Sequence, residues 1–213
     1  MGKVFVSVGM SLDGFMAGPN GSPTNPLGDG GVDIHKWAFE TRTFLEHLGI
    51  PGGKSGTRDD GIVQRTFERA GAHIMGRRMF DEGEHNWPED APFHTPVFVL
   101  TNSPRPPWER KGGTTFYFSK DAIHAALQKA RDAAGNKDVR ISGGAGVIRQ
   151  YLNSGLVDEL NLQVAPLLLG RGTRLFDHVE RERVKLEIAE VIGSPLVTHV
   201  AYNVQFSHHV TSS

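Results

Sequence analysis

The stretch that most restricts the fold runs from Asp138 to Tyr151, DVRISGGAGVIRQY. Val139, Arg140 and Ile141 predict a short buried strand that stops at Ser142. Val147, Ile148, Tyr151 and Leu152 then recur at helical spacing. Gly143, Gly144, Ala145 and Gly146 lie between. A strand, a turn of tiny residues and a helix start leave backbone N–H groups pointing outward, where they and the helix dipole suit a phosphate. Glycine tolerates positive φ there and lets a ligand touch the backbone. The loop is not a Walker loop, because no Gly-Lys-Ser/Thr follows. Nor is it a full dinucleotide fingerprint: Gly144-x-Gly146 is present, but position 149 is Arg and no isolated acid follows about twenty residues on. A phosphate cradle and a plain strand-to-helix turn both remain open.

The same rhythm runs through the chain. Val4, Val6 and Val8 open a strand buried on both faces. It leads into Ser11-Leu12-Asp13-Gly14-Phe15-Met16-Ala17-Gly18, which puts Asp13 at the carboxyl end of a first central strand, where open α/β sheets hold ligands. The competing reading makes Asp13-Gly14 a simple turn. Pro19 to Gly31 predicts a loop long enough to serve as a binding loop or lid. Val32 to Leu48 predicts one helix whose apolar face carries Trp37, Phe44, Leu45 and Leu48; Trp37 and Phe39 suit either a pocket wall or the core. Gly49 to Gly61 predicts a second loop and Ile62 to Ala70 a helix.

Ala72 to Met75 predicts a strand, and Gly76-Arg77-Arg78-Met79-Phe80 the start of a helix. The two arginines there can grip a phosphate or simply be solvated. Pro96 to Leu100 is an uninterrupted apolar strand ended by Thr101-Asn102-Ser103. Phe116 to Phe118 is a further strand, Asp121 to Ala134 a helix, and Leu156 to Ala165 a strand. Val184 to Ile192 and Val197 to Phe206 predict a closing antiparallel hairpin. The order implies one α/β domain over residues 1–213: three α/β/α layers around a mostly parallel sheet with an antiparallel C-terminal edge.

Composition narrows the function classes. Lys plus Arg is 23 against 24 for Asp plus Glu, so no net field draws the chain to nucleic acid or an anionic membrane. Cysteine is absent, which excludes disulfides and thiolate metal sites and suits a reducing compartment. The start, MGKVFVSVGM, lacks a signal-peptide core, and no apolar run reaches spanning length. A soluble, cytoplasmic protein is expected. The ten histidines are scattered; His208-His209 falls at an expected frayed end, and no metal site is expected.

Five motifs, taken in order, carry a resemblance. They are Ser11-Leu12-Asp13-Gly14, Met75-Gly76-Arg77-Arg78-Met79-Phe80, Val99-Leu100-Thr101-Asn102, Ile141-Ser142-Gly143-Gly144-Ala145-Gly146 and Pro166-Leu167-Leu168-Leu169-Gly170. Together they resemble the dihydrofolate-reductase-like superfamily, in particular the reductase domain at the C-terminus of the bifunctional riboflavin-biosynthesis deaminase-reductase. The resemblance implies NADPH bound across the carboxyl ends of the strands. Gly143, Gly144, Ala145, Gly146, Val147 and Ile148 would hold the pyrophosphate and part of the nicotinamide. Arg77, Arg78, Thr101 and Asn102 would hold the adenosine and its 2′-phosphate, and Gly76 is a further cofactor-binding position. Met16 and Ala17 would flank the nicotinamide, with Asp13 catalytic at its reactive face. Asp33, Trp37 and Glu40 are candidate substrate contacts. Met79 stands where a family Thr often assists the phosphates, and the Pro-Trp segment of true dihydrofolate reductases has no clear match.

The implied activity is NADPH-dependent reduction of a small pteridine- or aminopyrimidine-like heterocycle. Its alternatives are a true 5-amino-6-(5-phosphoribosylamino)uracil reductase or a non-catalytic NADP(H)-binding module. A homodimer paired through the closing hairpin is also expected.

Overall fold

The computed structural model describes residues 2–90 and 92–207; the His208-His209 pair lies outside them. The frame is a nine-stranded sheet. In chain order its strands are β1 (Val4–Ser11), β3 (Ala70–Gly76), β4 (Pro96–Leu100), β5 (Trp108–Glu109), β6 (Thr115–Ser119), β7 (Asp138–Gly143), β8 (Glu159–Ala165), β10 (Val184–Gly193) and β11 (Thr198–Phe206). Two short strands, β2 (Phe15–Ala17) and β9 (Thr173–Arg174), pair beside it. The spatial order is β10-β11-β8-β1-β7-β3-β4-β6-β5. Pairings from β8 through β6 are parallel; β5, β11 and β10 pair antiparallel at the two edges.

β1 is buried along its whole length, as expected for a strand covered on both sides. Val97 and Val99 of β4 join a cluster with Phe80 and Phe116, while Phe98 joins the larger cluster of Ile74, Ile141, Ile148, Tyr151 and Leu160. Successive side chains leave opposite faces of a strand. Helix α4 (Arg77–Glu84), which carries Phe80, therefore covers one face. Helices α5 (Ile123–Ala134) and α6 (Ala145–Asn153), which supply Leu127, Ile148 and Tyr151, cover the other.

The single helix expected over 32–48 is broken. The chain forms a 3₁₀ turn (Gly31–His35), α1 (Lys36–Phe39) and α2 (Arg42–His47). The break is at Thr41, which is extended (φ −94°, ψ 140°) and buried, with its Oγ1 donating to Ala38 O at 2.7 Å. Its neighbours pair with the supposed loop: Arg42 N donates to Lys54 O at 3.1 Å and Lys54 N to Glu40 O at 2.8 Å. Helix α3 (Arg58–Arg69) starts earlier than the apolar pattern predicts. Thr57 accepts from Asp60 N at 3.0 Å and caps it, so the polar first turn belongs to the helix.

At the far edge, β10 leaves Leu186, Ile188 and Val191 exposed. Among the described residues, no helix is long and apolar enough to cross a membrane.

Candidate active site

Because the central strands are parallel, their carboxyl ends face one way, and the chain leaves them through β1–β2, β3–α4, the segment after β4, and β7–α6. These exits surround a cleft of about 1140 Å³. Ligand pockets typically span about 300–1,000 Å³, so this cleft lies just above the upper end of that range.

The rim is made of backbone. Gly144 is the N-cap of α6 and no side chain caps the helix there. A Cβ added at Gly144 or Gly146 would meet nothing within 4 Å, so open space lies against the uncapped N-terminus. Gly143 sits at φ +132°, a backbone conformation that favours glycine, and the Gly143–Gly144 peptide bond is cis. At Gly76 the constraint is contact: a Cβ would stand 2.9 Å from Val147 Cγ2. The lack of one lets the starts of α4 and α6 lie side by side.

The expected cofactor residues divide. Gly143, Gly144, Ala145, Gly146 and Val147 line the cleft, as do Gly76, Arg77 and Arg78. Met16, Ala17, Thr101 and Asn102 line it as well. Ile148 does not; it is fully buried in the large core cluster. The arginines are already engaged. Arg77 Nε donates to Asp81 Oδ1 at 2.6 Å and its Nη1 to Ser103 O at 3.3 Å. Arg78 Nε donates to Glu82 Oε1 at 2.9 Å, with 63% of its side chain exposed.

Among the expected substrate residues only Trp37 lines the cleft. Asp33 and Glu40 are exposed and pair with Lys36 and Lys54 instead.

Asp13 is not among the cleft-lining residues. Its Oδ1 accepts from Ser11 Oγ at 2.6 Å and from Leu169 N at 3.1 Å, and its Oδ2 accepts from Gly170 N at 2.7 Å. Those bonds, the Ser11 hydroxyl first, lower its pKa to about 2. The carboxylate thus ties the β1–β2 turn to the 167–170 segment, a turn-binding role rather than a free acid at the cleft.

The sequence reading missed the floor. Ser7 and Gly9 from β1, Arg140 and Ser142 from β7, Gln163 from β8 and His35 all line it. Arg140 Nη2 donates to Ser7 O at 2.8 Å, Gln163 Nε2 donates to Ser7 Oγ at 3.2 Å, and His73 Nδ1 lies 2.8 Å from Ser142 Oγ. Burial, then the nearby Arg140 charge, lowers the pKa of His35 to about 4, so its ring is neutral at neutral pH. The available signal was alternation: Arg140 and Ser142 are two apart on a strand and so share a face.

A mostly parallel α/β sheet with an antiparallel edge and a glycine-rimmed cleft at its carboxyl ends defines the dihydrofolate-reductase-like fold. The dihydrofolate reductase of Enterococcus faecalis, solved as a complex with NADP(H), superposes with a TM-score of 0.53, at 13% identity over 97% of each chain. A putative riboflavin biosynthesis protein from Shewanella sp. PV-4 superposes with a TM-score of 0.65, at 21% identity over 96% of this chain and 99% of that one. Within that fold class, residues 2–198 match the RibD C-terminal domain, and the chain belongs to that family. An uncharacterized Bacillus subtilis protein, YyaP, is 38% identical over 186 residues, 87% of this chain and 86% of its own length.

Proposed function

We propose that the protein is an NADPH-dependent reductase acting on a small heterocycle of pteridine or aminopyrimidine type. The observation that carries this reading is the uncapped α6 N-terminus with open space at Gly144 and Gly146, at the edge of a cleft of about 1140 Å³. That cradle fits a pyrophosphate, because N–H groups and a helix dipole meet it without a side chain in the way. Thr101, Asn102 and the arginines opening α4 fit the adenosine end. Family membership and the NADP(H) complex of the Enterococcus relative support the assignment.

When bound, NADPH supplies a hydride from C4 of its nicotinamide. The chain's own part is to hold that ring beside Met16 and Ala17, to screen the reacting carbon from water with Trp37 and its aromatic neighbours, and to orient the substrate on the polar floor. Neutral His35 can share a proton with a substrate heteroatom there. Asp13 positions the β1–β2 turn that carries Met16. Family membership favours, as a second reading, the true 5-amino-6-(5-phosphoribosylamino)uracil reductase. A non-catalytic NADP(H)-binding module would bind the cofactor and never oxidise it.

Titration calorimetry with NADPH and NADH tests the cofactor, and loss of reduced-nicotinamide absorbance with a panel of pteridines and aminopyrimidines tests turnover. A charge-assisted bond to the 2′-phosphate contributes about 1.5–3 kcal/mol, so NADPH should bind roughly tenfold tighter or more. The preference should stay near that lower bound, because Asp81 and Glu82 compete for Arg77 and Arg78. Equal affinities would remove the NADPH assignment, and absorbance that holds steady with every substrate would leave the binding module.

A further inference from the structure

The floor of the cleft holds a charge without a counter-charge. Arg140 projects from the central strand β7; apart from the bond from its Nη2 to Ser7 O, its buried Nε meets no acceptor. It forms no ion pair with any carboxylate among the described residues, and burial is the cause of its lowered pKa, about 10. The guanidinium is therefore cationic at neutral pH. Arg140 is half-buried, with its Nε fully out of solvent; a cation so desolvated and left without an anion is unfavourable, and in a cleft the missing anion can be supplied by a ligand.

The neighbouring groups do not supply it. The pKa values of His35 and His73 lie below the usual histidine value, through burial first and the Arg140 charge second, so both rings are neutral. Ser7, Ser142 and Gln163 are uncharged; Gln163 donates to Ser7 Oγ, and Ser142 Oγ is paired with His73. The adjoining surface is aromatic: Arg140 lies 5.9 Å from the Phe67 ring centroid, and Trp37 lines the same cleft with its buried Nε1 also lacking an acceptor. Flat walls, neutral hydrogen-bonding groups and one unpaired planar cation describe a particular kind of guest.

We propose that the substrate is a planar heterocycle carrying an oxyanion, either an ionised ring enolate or a ring carboxylate, and that Arg140 is the residue that pairs with it. Guanidinium matches such a group because its donors lie in one plane and can engage two oxygens or an oxygen and a ring nitrogen at once. This deepens the reductase reading and rests on it for the identity of the cleft as a substrate site.

The test is calorimetric titration of the full chain, with and without NADPH, using two matched probe pairs. Barbiturate against uracil reports on a ring enolate; pyrazine-2-carboxylate against pyrazine-2-carboxamide reports on a carboxylate. In at least one pair the anion should bind about tenfold tighter or more than its neutral partner, and the pair that responds identifies the source of the charge. Arg140→Met should erase that preference and Arg140→Lys should retain part of it, with NADPH affinity unchanged in both. Equal binding within both pairs by the parent protein, which needs no variant to fold, would overturn the proposal. So would an Arg140→Met protein that kept the preference. Anion preference without NADPH binding would overturn the reductase reading and uphold the oxyanion site, and NADPH binding without anion preference would do the reverse.

Discussion

The rim of the cleft and its floor are built on opposite plans. At the rim the recognising atoms are backbone, and side chains matter by their absence: Gly144 and Gly146 leave space and Gly76 lets Val147 approach. On the floor the recognising atoms are side chains set on three neighbouring strands, Ser7 on β1, Arg140 on β7 and Gln163 on β8. A site made from absent side chains tolerates few substitutions, because nearly every residue adds a Cβ. A site made from side chains can change its ligand one residue at a time without disturbing the strands beneath. The rim is thus rigidly specified by the fold and the floor is adjustable, which on the proposed reading separates cofactor from substrate.

The largest expected effect is at the rim. Gly146→Val should fold, since its Cβ meets nothing, yet fill the space a pyrophosphate would occupy. Losing two or more charge-assisted bonds should weaken NADPH binding about a hundredfold or more. A Gly146→Val protein that melts with the parent and binds NADPH normally would erase the distinction between rim and floor.

Asp13→Asn separates a positioning residue from a catalytic one. With the carboxylate spent on Ser11, Leu169 and Gly170, turnover should fall less than about tenfold, short of the roughly 10²–10⁴-fold of a lost acid–base group. Asp13 has a folded pKa of about 2 against an ordinary 3.8. Its contribution to stability is therefore present above about pH 4 and disappears as the pH falls toward 2. The variant's melting temperature should vary less with pH across that window. A hundredfold rate loss with unchanged melting behaviour would return Asp13 to the catalytic centre.

The smallest effect concerns the floor's neutrality. The unfolded His35 ring takes a proton near pH 6.5, whereas the folded one stays neutral down to about pH 4. Between those values the unfolded chain binds more protons, so acidification lowers stability. His73, His47 and His199 are shifted the same way. Melting temperature should decline from pH 6.5 to pH 4, and His35→Gln should make that decline shallower. An unchanged slope would mean that His35 is already charged and that the floor carries two cations.

The same contrast explains what was legible in the sequence. Elements declared by contiguous signals came through: Pro96–Leu100 as a strand to the residue, the glycine turn between β7 and α6, and the closing hairpin. Backbone sites leave such signals because small residues cluster where side chains are excluded. The floor left none, since Ser7, His35, Arg140 and Gln163 lie far apart in the chain and only strand order brings them together. The Val32–Leu48 helix failed for a related reason. Its apolar spacing is helical, but the buried Thr41 takes an extended conformation bridged to Lys54, a long-range pairing that local periodicity does not report.

The amino ends of the middle strands, opposite the cleft, carry an ion-pair lattice. Arg69 bonds Asp138 at 2.6 Å and Glu159 at 2.7 Å, Lys3 also pairs with Glu159, and Val4 N donates to Asp158 Oδ2 at 2.7 Å. Lys3 and Val4 are thereby stitched to the amino ends of the middle strands. A tether attached ahead of Lys3 would leave the molecule from its back. Grafted to a surface or a bead by that handle, the protein would stand with its mouth turned outward, and immobilisation would leave the cleft open to solution.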